Sequence, residues 1–194
     1  MMSKFRFDIC RIPAVIFAAG LFLFSFNASA QQVGVKTNAL MWALMTPNVG
    51  CEIVVGQRGS LDLSLSGHYR PYGVDSKMFF VQPEYRYWFS GRPMTREFVG
   101  VTMMAADYDV TMKHQVYEGY AASCGLVGGY AFSLARNWRL ELCGGFAVLY
   151  FNQKQYYRDD NYDDYFVGEV SPANAWGYKL FPAKLGVTFT YIIK

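Results

Sequence analysis

Between residues 60 and 70 the chain alternates with a period of two. Leu61, Leu63, Leu65 and Tyr69 fall on one side, and Asp62, Ser64, Ser66 and His68 on the other. Successive side chains of an extended strand point to opposite faces, so this stretch predicts a β-strand with one polar and one apolar face. The same pattern recurs over residues 78–89, where Phe79, Val81, Tyr85 and Tyr87 oppose Gln82, Glu84, Arg86 and Trp88. Residues 48–56 set Val49, Cys51, Ile53 and Val55 against Glu52, and Trp138, Leu140, Leu142, Phe146 and Val148 oppose Arg139, Glu141, Cys143 and Gly145. Near the C-terminus Ala183, Leu185, Val187, Phe189 and Tyr191 oppose Lys184, Gly186, Thr188 and Thr190. Three less regular segments, 33–44, 97–107 and 118–132, complete a set of eight expected strands. Long antiparallel strands present unpaired edges to neighbouring chains unless the sheet closes on itself. The expected fold is therefore all-β, a closed eight-stranded antiparallel up-and-down β-barrel.

The polarity of the two faces decides what such a barrel sits in. Lys36, Glu52, Asp62, Glu84, Arg86, Arg139, Glu141 and Lys184 share one face, carry both signs and are spread over several strands. Charges enclosed together must pair, and this set has the composition to do so as an interior polar network. The opposite face is almost uncharged and ends in aromatics such as Tyr69, Tyr85, Tyr87, Phe89, Trp138, Tyr150 and Tyr191. Apolar outside, polar inside and aromatic at the rims is the pattern of a transmembrane barrel. An eight-stranded interior is only wide enough for side chains, so an open pore is not expected. With the N-terminus in the periplasm, the periplasmic turns are the short segments 57–59, 90–96 and 134–136. The outside loops are then 45–47, 71–77, 108–117 and the long 151–180.

The N-terminal segment fits that destination. Lys4, Arg6 and Arg11 precede or open an apolar run at 12–26 that ends at Ala28-Ser29-Ala30, the charge, apolar core and small-residue cleavage pattern of a secretory signal peptide. A membrane-spanning helix needs roughly 20 apolar residues, and this shorter run is interrupted by Pro13, Gly20 and Ser25. Residues 1–30 are read as a signal cleaved after Ala30, and 31–194 as one outer-membrane barrel domain. No cysteine follows the cut directly, which argues against a lipid-anchored protein. Of 18 Lys+Arg and 15 Asp+Glu, Lys4, Arg6, Arg11 and Asp8 leave with the signal. The remainder is close to neutral, so no nucleic-acid partner is implied. Cys51, Cys124 and Cys143 remain, without the spacing of a metal site, and are read as isolated thiols. No cofactor or metal is expected.

Several strings carry a further indication: Lys36-Thr37-Asn38-Ala39-Leu40, Thr46-Pro47-Asn48-Val49-Gly50-Cys51-Glu52, Ser60-Leu61-Asp62-Leu63, and Val81-Gln82-Pro83-Glu84-Tyr85-Arg86-Tyr87-Trp88-Phe89. With Glu118-Gly119-Tyr120 and Lys184-Leu185-Gly186, the chain resembles an uncharacterised Bacteroidetes family of small exported outer-membrane β-barrels, a domain of unknown function. The resemblance implies location and fold, and no activity. After the third strand the chain reads Tyr69-Arg70-Pro71-Tyr72 where the family tends to have Tyr-Asn-Pro-Trp.

Candidate sites are few. Pro83 lies in mid-strand, removes a ladder hydrogen bond and predicts a bulge or bend. Ser66, His68 and Glu84 have the chemistry of a hydrolase triad, with pairing across the 71–77 loop expected to bring Glu84 near Ser64 and Ser66. This resembles the residue set of outer-membrane lipid A deacylases, although those place the serine and histidine towards lipid. Tyr156, Tyr157, Asp159, Asp160, Tyr162, Asp163 and Tyr165 form a loop contact surface for a protein or glycan. Asp159, Asn161 and Asp163 imitate the start of a calcium loop, but Asp164 stands where glycine is needed and Val170 where glutamate is needed. His114 is read as simply exposed. The leading expectation is a non-enzymatic outer-membrane protein in contact with lipid. The alternatives are a lipid hydrolase using Ser66, His68 and Glu84, and a periplasmic lipocalin-like carrier.

Overall fold

The computed structural model describes residues 32–112, 115–157 and 174–193. Eight strands account for most of them: β1 (Val33–Asn38), β2 (Asn48–Val54), β3 (Gly59–Tyr69), β4 (Ser76–Trp88), β5 (Arg96–Met112), β6 (Gln115–Ser133), β7 (Trp138–Tyr157) and β8 (Asn174–Ile192). Each pairs antiparallel with its sequence neighbour, and β8 pairs with β1, so the sheet closes on itself as a barrel. The start of β1, the end of β8 and the β2–β3, β4–β5 and β6–β7 turns lie at one end, here called lower; the strand ends joined by the other connections lie at the upper end. The strands lengthen along the chain, with 6, 7, 11, 13, 17, 19, 20 and 19 residues. Closure therefore joins the shortest strand to one of the longest, and β8 rises well above β1.

The alternation read from the sequence places the faces. Lys36, Glu52, Asp62, Glu84, Arg86 and Glu141 are buried inside the ring, while Leu63, Leu65, Val99, Val101, Met103, Leu126, Leu142 and Phe146 are exposed on its outside. Outward aromatics flank this aliphatic band. Tyr85, Tyr87, Phe89 and Trp138 are exposed near the lower end, and Tyr69, Phe79, Tyr120, Trp176 and Tyr178 near the upper end. Trp138 packs against Tyr191 at 5.1 Å and Tyr150 against Tyr178 at 5.3 Å, the cross-strand aromatic pairs that hold sheet faces in register.

Four features differ from the expectation. The segment 33–44 is not one strand: β1 stops at Asn38 and a short helix, α1 (Ala39–Ala43), follows. Asn38 ends the strand because its side chain caps the helix, accepting from Leu40 N at 3.0 Å. Asn48 meanwhile satisfies the Asn38 backbone, accepting from its N at 2.7 Å and donating to its O at 3.0 Å. Strands also run where loops were expected. β5 reaches Met112 and β6 begins at Gln115, and β7 and β8 consume both flanks of the 151–180 segment.

Ala183 is buried rather than on the apolar outer face. Gly145 pairs with Lys184 but Phe146 pairs with Pro182, so Ala183 is the extra residue of a bulge. The extra residue switches parity, so Trp176, Tyr178 and Leu180 above it and Leu185, Phe189 and Tyr191 below it all face outward. At Pro83 no such shift occurs. Pairing to β5 lapses between Val81↔Ala105 and Glu84↔Thr102 and resumes in the same register, because proline has no N–H to complete the ladder there.

Candidate functional site

The interior divides into three levels. The lowest is an apolar floor of Trp88, Met94, Phe98, Val127, Ala131 and Ile192. Met94 reaches it from the β4–β5 turn, where it and Arg96 adopt positive φ (59° and 66°), a conformation costly for non-glycine residues and repaid here by burial of the thioether chain.

Above the floor sits the charged level. Arg86, fully enclosed, contacts all four carboxylates: Glu84 at 2.5 Å through Nε, Glu52 at 3.1 Å and Glu141 at 2.8 Å through Nη1, and Asp62 at 2.6 Å through Nη2. Lys36 bonds Glu52, lies 2.8 Å from Glu141 and 3.6 Å from Asp62. Lys184 lies 3.0 Å from Glu84 and 3.5 Å from Asp62. Three cations thus face four carboxylates supplied by β1, β2, β3, β4, β7 and β8. Neighbouring polar groups tie the cluster to its surroundings. Ser60 Oγ donates to Glu52 at 2.5 Å and accepts from the Trp88 indole at 2.8 Å, and Gln82 donates to Thr102 at 3.0 Å and to Ala183 O at 3.1 Å.

The strands without a charge at this level make room for it. A Cβ at Gly100 on β5 would stand 2.7 Å from Tyr85 O and 3.1 Å from Val127 Cγ1, so only glycine lets β5 lie this close to the Tyr85 backbone beside Arg86. Phe98 then supplies a ring face 4.6 Å from the guanidinium. The space left beside Lys36, Asp62 and Lys184 is about 30 Å³, room for roughly a water or two. Among the described residues this level is a filled plug.

Of the residues grouped from sequence, Lys36, Glu52, Asp62, Glu84, Arg86, Glu141 and Lys184 come together. Arg139 does not. It faces inward opposite Thr190, but its guanidinium turns down to the β6–β7 turn and donates to Ala135 O at 2.7 Å and Trp138 O at 3.0 Å, because it sits too near the lower rim to reach the carboxylates. The triad is not assembled either. Glu84 stands opposite Asp62, whereas Ser66 stands opposite Phe80, so the register separates the carboxylate from the serine. His68 is engaged by Thr46 Oγ1 at 3.2 Å and Ser76 Oγ at 3.0 Å, and Glu84 by Arg86 and Lys184. Tyr156 and Tyr157 fall at the end of β7, while Asp159, Asp160, Asn161, Tyr162, Asp163, Asp164, Tyr165 and Val170, with His114, lie outside the described residues. Cys51, Cys124 and Cys143 are all free thiols.

Met94 escaped the sequence reading because a turn residue has no period to reveal it. The third level escaped it too. Above the plug the inward side chains become apolar again, and they enclose a cavity of about 530 Å³ bounded by β3 to β8 and α1.

The whole of this framework lies within one family match. The family model described as Protein of unknown function (DUF3575) covers residues 16–193. The chain belongs to that family. No curated protein matches the chain, and no solved structure matches it. Membership in this family of unknown function brings no activity with it, so the functional reading rests on the geometry above.

Proposed function

We propose that the mature chain is a transmembrane barrel of a bacterial outer membrane, in a member of the Bacteroidetes, exported by the N-terminal signal and serving as a non-enzymatic envelope component. The observation that carries this reading is the inverted polarity of the ring. The largest fully buried side chains include Arg86, Glu52 and Glu141, whereas Phe146, Leu126, Leu185 and Leu180 are 57–77% exposed. In water such an outside would be a continuous apolar patch far beyond what soluble monomers carry. In a bilayer it is the expected belt, with the aromatic rows at the two interfaces.

The same inversion weighs against a lipocalin-like carrier, whose polar face would be outside. The separation of Ser66 from Glu84 weighs against a hydrolase. The plug supports a non-conducting barrel. Surface interaction, with a protein or glycan as partner, falls to the upper end, to which β7 rises at Tyr157 and from which β8 descends at Asn174.

The four tryptophans test this directly. Variants keeping one tryptophan each, with phenylalanine at the other three, are folded into vesicles whose phospholipid carries brominated acyl chains. Fluorescence of Trp42, Trp138 and Trp176 is expected to be quenched, and that of Trp88 spared. A mature chain that stays monomeric in buffer without detergent, or a Trp88 quenched like the others, overturns the membrane reading.

A further inference from the structure

The barrel closes across a step. β1 pairs with β8 only from Gly34↔Ile192 to Asn38↔Thr188, so above Thr188 the described part of β8 has a strand partner on the β7 side alone. α1 stands in this step, capped by Asn38, which also donates to Leu185 O at 3.2 Å. Tyr72 holds it from the other side through its hydroxyl, which donates to Ala43 O. The outward side of α1 carries Trp42, 56% exposed. A barrel strand needs roughly 9–11 residues to cross a bilayer. β1 and β2 fall short, with 6 and 7, and α1 continues the apolar surface where they stop.

Directly behind the step lies the upper cavity. At about 530 Å³ it falls within the roughly 300–1,000 Å³ of small-molecule sites. Met78, Phe80, Met104, Leu149, Phe151 and Phe181 form its walls, and Leu40 and Met41 of α1, with Leu44 just after it, face it. Apolar inward side chains are the reverse of the plug below. The lining is mostly apolar, with Thr46, Gln82, Tyr108 and Gln153 among its uncharged polar members, and such a lining gains free energy chiefly by contact with hydrocarbon. Among the described residues the charged groups of the lining are Lys179 and Lys184, and none of these lining residues is a carboxylate. Lys184 is already engaged by Glu84 and Asp62. Lys179 is exposed above them, its Nζ 5.1 Å from the centre of the Phe151 ring.

We propose that this cavity is a binding site for a single-chain anionic amphiphile of the long-chain fatty-acid class. The hydrocarbon lies among the Met78, Met104 and Phe181 side chains, the carboxylate sits at Lys179, and the molecule enters sideways through the gap between α1 and β8. Side entry rests on the membrane reading above, because it needs a bilayer at the seam. The ligand class does not, since it follows from the lining.

The test uses the mature chain in nanodiscs of zwitterionic phospholipid, with cis-parinaric acid as the fluorescent probe and palmitate as competitor, measured against discs without protein. Saturable uptake displaced by palmitate is expected. Ala106→Trp, which fills the cavity, abolishes uptake while the barrel keeps its heat-sensitive gel mobility. Lys179→Gln weakens palmitate by roughly threefold, the scale of an exposed charge pair, and leaves displacement by palmityl alcohol unchanged. A folded barrel in discs that takes up no probe overturns the site, as does uptake indifferent to Ala106→Trp. A chain that does not enter discs but binds the probe in buffer overturns side entry together with the membrane reading and supports the ligand class.

Discussion

The interior around Arg86 and the interior around Met104 are enclosed by the same sheet, yet one is filled and the other is left open. Around Arg86 the side chains meet at 2.5–3.1 Å and leave about 30 Å³. Around Met104 they leave about 530 Å³. The difference lies in what each side chain can reach. Long charged residues from facing strands span the ring and satisfy one another there. Higher up, methionine, leucine and phenylalanine have no such partner, and the wall is low on the β1 side. The lower half is thus built to hold the ring together, and the upper half to hold something else.

That contrast can be broken first at Arg86. Arg86→Met leaves four carboxylates facing two lysines, and removal of one partner from a buried ionic cluster costs about 3–5 kcal/mol. A urea titration of the folded fraction on unheated gels should show it. A loss below about 1 kcal/mol would mean that the plug does not hold the ring. Trp88→Phe is next. It removes the bond to Ser60 and shrinks the floor, at an expected cost of about 1–3 kcal/mol on the same assay. Asn38→Ala uncaps α1 and frees Leu185 O, with about 1–2 kcal/mol expected. Hydrogen exchange should localise its effect to β1 and upper β8.

The smallest effects sharpen the comparison from the other side. Ala106→Trp should cost less than about 1 kcal/mol, because the new ring enters open space. Thr102→Trp, in the packed level, should cost the roughly 1–3 kcal/mol of overpacking or more. Equal costs would erase the distinction between the levels. Last, Ser66→Ala combined with His68→Ala should leave the acyl chains of outer-membrane lipid A unchanged by mass spectrometry, since the register keeps Glu84 from Ser66 and the described partners of His68 are Thr46 and Ser76. Loss of a deacylated species would restore the hydrolase reading.

The sequence made the lower half legible and the upper half obscure, for a physical reason. Where one face is charged and the other apolar, as at Asp62, Glu84 and Glu141, a period of two shows at once. Above the plug both faces carry apolar or aromatic residues, as at Met103 and Met104 or Tyr150 and Phe151, and the alternation fades although the strands continue. The bulge at Ala183 hides the rest, because it inverts parity within one strand. α1 was hidden by a capping asparagine that also satisfies the geometry of a strand end. Arg139 has the correct parity for the network and the wrong height, and height depends on register, which the pattern of one strand does not contain.

The stepwise lengthening of the strands also bears on how the ring is made. β5 to β8 are long neighbours in sequence, and their hairpins zip locally, with small loop-closure cost. Closure is different, because Val35 must find Tyr191 across nearly the whole chain, for the reward of one short ladder. Pairings so distant in sequence form late in low-local-contact topologies. The C-terminal sheet should therefore assemble as a curved, open template, with the N-terminal strand docking last. The seam beside β1, one of the two shortest ladders of the finished wall, is then also the last to be sewn.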